Sequence, residues 1–346
     1  MPDVILGIET SCDETAAAIV IGGRDVRANV VATQFDLHAR YGGVVPEIAS
    51  RAHVERIEPV IREALRRAGV EYRDLSAIAV TDGPGLVGSL LVGITAAKTL
   101  AMSLDLPIVA VDHIEAHATS AALATDAQSA ADTPWPAIAL VASGGHTSLY
   151  LVRDFLTIEL IGQTRDDAAG EAFDKVSAIL EAGFPGGPAI ERLAVGGDPR
   201  AIRFPRAWLS EPHANFSFSG IKTAVMYHVF GPAQKYGDIA HLRERDKANI
   251  AASFQAAVVE TLVRKAVDAA QRAGVNHVVV GGGVAANGAL RRDLARACAE
   301  RGAQLTLTPA EYCGDNAAMI AALGFHRLRA GMLNDLSFQP RAGLRR

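Results

Sequence analysis

Apolar runs that suit strands alternate along the whole chain with amphipathic or alanine-rich runs that suit helices. Asn249–Arg272 shows the clearest helical pattern, with apolar side chains recurring every three or four residues. Ile57–Ala68 and the apolar Gly88–Leu104 also predict helices, whereas Ala77–Val80 and His277–Val280 are short unbroken apolar stretches typical of buried strands. This alternation predicts an α/β protein.

The first strand-like run has a counterpart 132 residues further on. Shifting the chain by that amount lays ILGIETSCDETAAAIV, from Ile5, on AIALVASGGHTSLYLV, from Ala137, with Ser11 on Ser143. Each copy predicts strand, small polar turn, strand. A duplicated α/β unit with a turn from each half facing an interdomain cleft resembles the actin-like and hexokinase-like (ASKHA) folds, which hold nucleotide phosphates there.

We therefore expect two related domains, and 346 residues are enough for two ordinary cores. The polar, proline-bearing stretch Ala124–Pro136 predicts the linker. The expected domains are residues 1–130 and 131–346. The last helix is expected to pack either on its own domain or on the first domain.

Two histidines on one predicted helix face, His113 and His117, suit a metal ion. They follow the strand-like Leu106–Val111, and ligands in α/β sheets gather at the carboxyl ends of strands. The metalloprotease pattern H-E-x-x-H needs its glutamate directly after the first histidine, which is absent here. Asp112 and Glu115 instead fit a capping box. Two ligands do not complete a site, so a merely polar helix face stays an alternative.

Asp315 is the candidate third ligand, because it follows the strand-like Gln304–Thr308 and opens an alanine-rich helix. Its alternative role is the N-cap of that helix. His146 is a second candidate, either as a ligand or as a donor to a substrate carboxylate.

Three turns suit phosphate binding: Thr10–Thr15, Ser143–Thr147 and the glycines Gly281–Gly283 between a strand and a helix. Glycines there let backbone N–H groups face an anion. Each turn alone is better explained by tight packing, but three in one two-domain chain favour phosphate binding. The third matches neither the Rossmann nor the Walker spacing.

Composition limits the partners and the cellular location that we expect for the chain. A formal net charge of −4 argues against nucleic-acid binding by bulk electrostatics, although arginine clusters such as the terminal PRAGLRR are either solvated faces or local RNA contacts. The three cysteines form no pair motif, no leader precedes the first strand, and no uninterrupted apolar run spans a membrane. We expect a cytoplasmic protein.

Eight blocks in order resemble the tRNA N6-adenosine threonylcarbamoyltransferase family, the bacterial TsaD proteins and their relatives. They are GIETSCDETAAAI, HIEAH, LVASGGHT, GEAFDKV, FPGGP, FSFSGIKTAV, GGGVAANGALR and YCGDNAAMIA, which span Ile5 to about Leu323. The resemblance implies an actin-like fold of two related domains. It also implies transfer of threonylcarbamoyl from threonylcarbamoyl-AMP to N6 of adenosine 37 in tRNAs that read ANN codons.

The resemblance also assigns roles to residues. It implies that His113, His117 and Asp315 hold one divalent ion, Fe²⁺ or alternatively Zn²⁺, and that Asp13 and Glu14 are the acids needed for activity. The implied contacts to threonylcarbamoyl-AMP, ATP or AMP are Ala142, Ser143, Gly144, Gly145, His146, Asp174, Gly187 and Asn287, with Glu191 as a ribose contact.

The implied partners are the tRNA anticodon loop, a paralogous inactive subunit (TsaB-like) and a small P-loop ATPase (TsaE-like), with a homodimer as a further expectation for the chain alone. No membrane is expected, and the basic carboxyl-terminal tail is expected to share the tRNA surface. The acyl group arrives activated, so no cysteine nucleophile is required. A metallopeptidase, a sugar or acetate kinase and a noncatalytic scaffold compete with this interpretation. A metallopeptidase needs a glutamate beside the first histidine and a peptide groove, and the sequence shows no sign of either. A kinase has no use for the two histidines and Asp315, and a scaffold would lack them.

Overall fold

The computed structural model describes residues 2–123, 135–207, 214–231 and 237–343. It divides into two compact units. Unit 1 comprises Met1–Thr133, Asp154–Thr157 and Gly314–Arg346, and unit 2 comprises Pro134–Arg153 and Ile158–Cys313.

Strands and helices alternate as the sequence predicts. The strands are β1 Val4–Glu9, β2 Glu14–Ile21, β3 Asp25–Thr33, β4 Ala77–Gly83, β5 Ile108–Asp112, β6 Ala137–Ala142, β7 Thr147–Val152, β8 Ile158–Gln163, β9 His277–Gly281 and β10 Gln304–Leu307. The α-helices are α1 Phe35–His38, α2 Pro46–Ala68, α3 Val87–Leu104, α4 His113–Thr119, α5 Ala169–Ile179, α6 Gly186–Leu193, α7 Ser219–Phe230, α8 Glu244–Ala273, α9 Gly288–Glu300 and α10 Ala317–Arg329.

In unit 1 the sheet order is β3-β2-β1-β4-β5, with β1–β3 antiparallel and β4 and β5 parallel to β1. Successive side chains of a strand point to opposite faces. Leu6 and Ile8 accordingly join the apolar cluster with α2 and α3. Gly7 faces the other way, where an added Cβ would meet the Ala317 carbonyl oxygen at 2.3 Å. The small residue at this position allows α10 to lie close against the sheet.

Unit 2 repeats this plan. Its sheet order is β10-β9-β6-β7-β8, with β6–β8 antiparallel and β9 and β10 parallel to β6. Ile138 and Leu140 of β6 lie in a fully buried cluster with Phe173 of α5 and Phe254 of α8. Burying side chains of this size stabilises a fold by roughly 2–3 kcal/mol each.

The two hairpins match pair for pair at the shift of 132 residues. Ile5 pairs with Val20 in the first hairpin, and the shifted residues Ala137 and Val152 pair in the second. The order of the two sheets is also the same. The internal repeat predicted from the sequence is therefore a repeat of structure and register.

Two helices begin earlier than their apolar patterns suggest. Helix α2 begins at Pro46, eleven residues before Ile57, and Pro46 occupies the first turn, where a proline loses no helical hydrogen bond. Helix α8 begins at Glu244 rather than Asn249. The predicted linker Ala124–Pro136 lies outside the described residues except for its last two positions.

The carboxyl-terminal segment belongs to unit 1. The predicted second domain began at residue 131 and included the whole C-terminal segment, although its last helix was allowed to pack on the first domain. The contacts instead assign Gly314–Arg346, including Asp315, to unit 1. The physical reason is that α10 packs against β1, β2 and β4.

By length and composition, α3 is the one described helix that could cross a membrane. This is weak evidence for a membrane span, because core helices of soluble proteins can have the same length and apolar composition. Helix α3 packs against α2 and β4 and carries Lys98, whose ammonium donates to the Phe338 carbonyl oxygen.

Candidate metal centre and nucleotide turns

The two histidines lie where β5 ends and α4 begins. Asp112 is the N-cap of α4, and its Oδ1 accepts from the backbone N–H groups of Ile114 at 2.9 Å and Glu115 at 3.2 Å. The expected capping-box partner, Glu115, has its carboxylate against the buried Arg327 guanidinium of α10. The cap therefore fixes the start of α4, and Glu115 links α4 to α10.

His113, His117 and Asp315 come together in unit 1. Nε2 of His117 lies 3.1 Å and Nε2 of His113 lies 3.5 Å from Oδ1 of Asp315. Both imidazoles are buried. The alternative role of Asp315 as an N-cap is wrong, because the neighbouring Asn316 caps α10 by accepting from Met319 N. Asp315 is thereby directed to the histidines.

Glu9, at the end of β1, fixes the orientation of His113. Its Oε2 lies 2.9 Å from Nδ1 of His113, and the same carboxylate accepts from the Ser11 N–H and the Thr81 hydroxyl. A carboxylate on one imidazole nitrogen directs the other nitrogen outward. No sequence pattern marks Glu9 or Thr81, because a single acid or hydroxyl in a strand carries no signal of its partner.

Charge balance in the buried group depends on His113. Burial opposes a charge on this imidazole, but the carboxylates of Glu9 and Asp315 outweigh burial and raise the pKa of His113 well above its ordinary value. For Asp315 burial again opposes charge, yet His113 and then His117 bring the pKa of the carboxyl well below its ordinary value. Burial lowers the pKa of His117. Without a metal ion, the protonated His113 is the cation that balances the two acids.

The group fits one divalent ion. One ligand atom from each of His113, His117 and Asp315 lies within 4.8 Å of the others. Two imidazoles and a carboxylate are a ligand set for Fe²⁺ and for Zn²⁺. The second nitrogen of His113 is already bonded to a carboxylate, as is usual for metal-bound histidines.

Asp13 ends the turn between β1 and β2, and Glu14 is the first residue of β2. Burial, then Asp315 and Asp13, raise the pKa of Glu14 to about 10, and a hydrogen bond joins its carboxyl to Asp13. Glu14 thus holds a proton at neutral pH in the metal-free protein. Two neighbouring acids that share one proton are an arrangement suited to proton transfer.

His53 of α2, a residue that was not predicted, holds this turn in place. It is fully buried, with Nε2 donating to the Cys12 carbonyl oxygen at 3.0 Å and Nδ1 accepting from the Thr15 hydroxyl at 2.7 Å. Burial lowers the pKa of His53, in keeping with a neutral ring. No sequence signal identifies it, because the contact spans 38 residues.

The cysteines are poor nucleophiles. Burial and then the Asp13 carboxylate raise the pKa of Cys12, and burial raises the pKa of both Cys298 and Cys313. A thiol must ionise to attack. Each therefore stays protonated at neutral pH.

In unit 2 the turn between β6 and β7 is a tight loop. Ser143 N donates to the His146 carbonyl oxygen at 2.8 Å, and His146 N donates to the Ser143 hydroxyl at 3.2 Å. An added Cβ at Gly144 or Gly145 would meet nothing within 4 Å. The loop backbone therefore has open space beside it, into which a ligand can approach.

Two glycine contacts hold this loop against its neighbours in unit 2. Gly282 has a φ of +88°, and an added Cβ would meet the Ala142 carbonyl oxygen at 2.4 Å. An added Cβ at Gly170 would meet the Ser143 carbonyl oxygen at 2.4 Å. The loop, the start of α5 and the glycine turn after β9 are consequently brought together.

The other predicted contact residues of unit 2 lie at the starts of α6 and α9 or donate or accept hydrogen bonds there. Asp174 Oδ1 accepts from Gly186 N at 2.7 Å, next to Gly187, which has open space beside its Cα. Asn287 caps α9 by accepting from Leu290 N, and its amide donates to Gln255. Glu191 Oε1 accepts from Gly288 N at 2.8 Å, so this oxygen also helps to fix the start of α9.

His146, the alternative metal ligand, lies in the loop between β6 and β7 of unit 2. The group that the described residues bring together consists of His113, His117 and Asp315. The role of His146 as a donor to substrate is the one that stays a prediction.

Known structures share the fold. The crystal structure of HypF from T. kodakarensis aligns with a TM-score of 0.62 at 15% identity, over 95% of this chain and 48% of that one. Component A of (R)-2-hydroxyglutaryl-CoA dehydratase from Acidaminococcus fermentans aligns with a TM-score of 0.53 at 15% identity, over 94% and 99%. The fold is actin-like, as the sequence predicted.

Relatives with closer sequences have one name in common. The family model for tRNA N6-adenosine threonylcarbamoyltransferase matches residues 25–322. Proteins of that name from Symbiobacterium thermophilum and Clostridium perfringens are 51% and 45% identical to this chain, each over 99% of it and over 96% and 98% of the relative. The chain therefore belongs to the tRNA N6-adenosine threonylcarbamoyltransferase family.

Proposed function

We propose that this protein transfers the threonylcarbamoyl group from threonylcarbamoyl-AMP to N6 of adenosine 37 in tRNAs that read ANN codons. The observation that carries the proposal is the convergence of His113, His117 and Asp315 in a chain that the family model matches over most of its length. Neither a sugar kinase nor a noncatalytic scaffold has a use for that buried ligand set.

His113, His117 and Asp315 hold the divalent ion, Fe²⁺ or Zn²⁺. When bound, the ion supplies Lewis-acid stabilisation of negative charge that develops on the acyl oxygen. Glu9 fixes the ring of His113, and Asp112 fixes the start of the helix that carries both histidines. The protein thus orients its ligands before substrate arrives.

The loop of unit 2 binds the adenosine monophosphate part of the substrate. Open backbone at Gly144 and Gly145 supports N–H contacts to phosphate, as does the start of α9 after the glycine turn. Ala142, Ser143 and His146 line the loop, and Asp174, Gly187, Asn287 and Glu191 complete the proposed contacts. ATP or AMP binds the same residues through its shared nucleotide part.

The reaction needs no covalent enzyme intermediate. The N6 lone pair of adenine attacks the carbamoyl carbon, a C–N bond forms, the bond from that carbon to the phosphate oxygen breaks, and AMP leaves as an anion. The proton released from N6 passes to Asp13, while Glu14, already protonated, donates its hydrogen bond to Asp13. Adenine is a weak nucleophile, so positioning supplies much of the acceleration.

Partners and location follow from the same proposal. Adenosine 37 lies in a single-stranded anticodon loop, where the base is accessible without opening a duplex. The negative net charge of this chain fits a shared tRNA surface, with a paralogous subunit and a small P-loop ATPase completing the assembly. We place the protein in the cytoplasm, and we propose a homodimer for the chain alone.

A reconstituted assay tests the proposal. Threonylcarbamoyl-AMP, unmodified ANN-reading tRNA and partner proteins are combined with the wild type, Asp315→Ala or His117→Ala, and modified nucleoside is measured by mass spectrometry. We expect product with the wild type and none with either variant, while circular dichroism of the variants is unchanged. His241→Ala, which removes an exposed histidine, is the matched control and should retain activity.

A different outcome favours the kinase. Phosphorylation of a small metabolite with turnover of ATP, and no modified adenosine from the wild type, would replace acyl transfer as the function.

A further inference from the structure

The chain continues past α10 as a strap along the edge of the first sheet. We define the C-terminal strap as Asn334–Arg341. Asn334 N donates to the Ile108 carbonyl oxygen at 3.0 Å, and its side-chain oxygen accepts from Ala110 N at 2.8 Å. The Lys98 ammonium lies 4.4 Å from the centre of the Phe338 ring. The strap is thus attached to β5 and to α3.

The strap ends on the carboxyl ends of β4 and β5. Arg341 N donates to the Asp82 carbonyl oxygen at 2.7 Å. The approach is close, because an added Cβ at Gly83 would meet the Arg341 carbonyl oxygen at 2.3 Å. A side chain at position 83 would push the strap away from the sheet.

The Arg341 guanidinium joins two acids. It contacts Asp82 through Nε at 3.1 Å and Nη2 at 2.9 Å, and Nη2 also contacts Asp112 Oδ2 at 3.0 Å. The carboxyl side chains of Asp82 and Asp112 are only 8% and 3% exposed. Two buried like charges at adjacent strand ends repel each other, and a shared guanidinium offsets that repulsion.

Asp112 divides its two oxygens between two tasks. Oδ1 caps α4 through Ile114 N and Glu115 N, and Oδ2 accepts from Arg341. Helix α4 has seven residues and begins with His113. A helix this short depends on its cap for its direction, and a shift of the cap moves both histidines.

We propose that Arg341 is a positioning residue for the metal centre: through Asp112 it holds the start of α4, and hence His113 and His117, in the orientation that binds the ion. This inference rests on the metal centre of the proposed function. In the basic tail, Arg341 contacts two carboxylates of its own chain, whereas Arg345 and Arg346 lie outside the described residues.

Metal affinity of the full chain tests the proposal. Arg341→Gln is titrated with Zn²⁺ against a chromophoric chelator and with Co²⁺, whose visible spectrum reports coordination geometry. Removing a group bonded directly to a ligand typically costs about 10–100-fold in affinity, and Arg341 acts one contact further away, so we expect a loss of about tenfold and an altered Co²⁺ spectrum. Arg345→Gln combined with Arg346→Gln removes two charges from the same tail and should change neither measurement.

A second variant separates positioning from general stability. Asp112→Asn keeps an oxygen for the cap and removes the charge that Arg341 balances. In that background Arg341→Gln should lower metal affinity by less than about twofold, because the two changes act on one contact. Full, additive losses would mean that Arg341 acts elsewhere. If Arg341→Gln does not fold, Arg341→Lys is used in its place. Its metal affinity should lie between the affinities of the wild type and of Asp112→Ala, because lysine keeps the charge but not the shape of the guanidinium.

The remaining outcomes are distinct. Unchanged metal affinity and Co²⁺ spectrum in a folded Arg341→Gln overturn the positioning role and leave the metal centre intact. Unchanged metal affinity with weaker tRNA binding returns Arg341 to the RNA surface. A wild type that binds neither ion removes the metal centre of the proposed function and this inference together.

Discussion

Nδ1 of His113 lies 2.9 Å from Oε2 of Glu9, and this buried contact joins the end of β1 to the start of α4. It leaves Nε2 of the same ring facing Asp315. Strand β1 belongs to the hairpin that also carries Asp13 and Glu14, so a single hairpin supplies both the support of the metal centre and the paired acids.

Glu9→Gln should weaken metal binding. Glutamine keeps the size of the side chain but loses the charge that holds His113, so we expect a loss of Zn²⁺ affinity of about 10–100-fold. Competition with a chromophoric chelator measures it. Glu55→Gln, an exposed glutamate on α2, is the control and should bind as the wild type does. Equal affinities for the wild type and Glu9→Gln would show that the contact does not orient the ligand.

Metal binding should release a proton. Glu9 and Asp315 raise the pKa of His113 against the effect of burial, so its ring is protonated at pH 7 without metal, and a ligand imidazole must be neutral. Metal competes with that proton, so affinity should rise as pH rises towards the pKa of His113. Calorimetry at pH 7 in two buffers of different ionisation enthalpy should give about one proton released per ion. Identical heats in both buffers would contradict this.

His53→Leu should slow transfer without affecting the metal. The change removes the bonds to Cys12 and Thr15 that hold the acidic turn, and it leaves the Cys12 carbonyl without that donor. We expect the free energy of unfolding to fall by about 1–3 kcal/mol and the single-turnover rate to fall, with Zn²⁺ affinity unchanged. Denaturant titration and single-turnover kinetics measure these, with the exposed His241→Leu as control. A matching loss of metal affinity would place His53 in the metal centre.

His326 should make the metal-free protein less stable in acid. Its ring stacks on the Phe155 ring, with the two ring centres 3.6 Å apart, and its Nε2 has no hydrogen-bond partner among the described residues. Burial and then Arg24 lower the pKa of His326 to about 4, below the ordinary 6.5, so the unfolded chain binds the proton more readily. This stability is fully present above pH 6.5 and declines as pH falls towards 4.

The comparison with His326→Leu measures that effect. Between pH 7 and 5 the wild type should lose about 1–2 kcal/mol more of its free energy of unfolding than the variant loses, in denaturant titrations of metal-free protein. Equal losses would mean that other groups determine the acid sensitivity.

Local patterns predicted much of this molecule. The spacing of His113 and His117 and the strand before Asp315 marked these residues as candidate ligands, and the structure brings the three together. The shifted hairpins predicted the repeat, because alternation and spacing can be read from neighbouring residues. Contacts that depend on the order of strands in the sheet could not be predicted from the sequence. Glu9 meets His113 only because β1, β4 and β5 are neighbours in the sheet, and Arg341 meets Asp112 across 229 residues.

The early start of α2 was missed for a different reason. Its first turns lack a continuous apolar stripe, and a proline at position 46 suggests a loop unless the helix beyond it is already known.

The position of Asp315 in the chain has a consequence for biosynthesis. His113 and His117 leave the ribosome long before Asp315, which follows 198 residues after His117, when all of unit 2 has been made. A nascent chain therefore displays two histidines without their carboxylate for most of its translation. The proposed metal centre is therefore complete only once Asp315 has been synthesised, after all of unit 2.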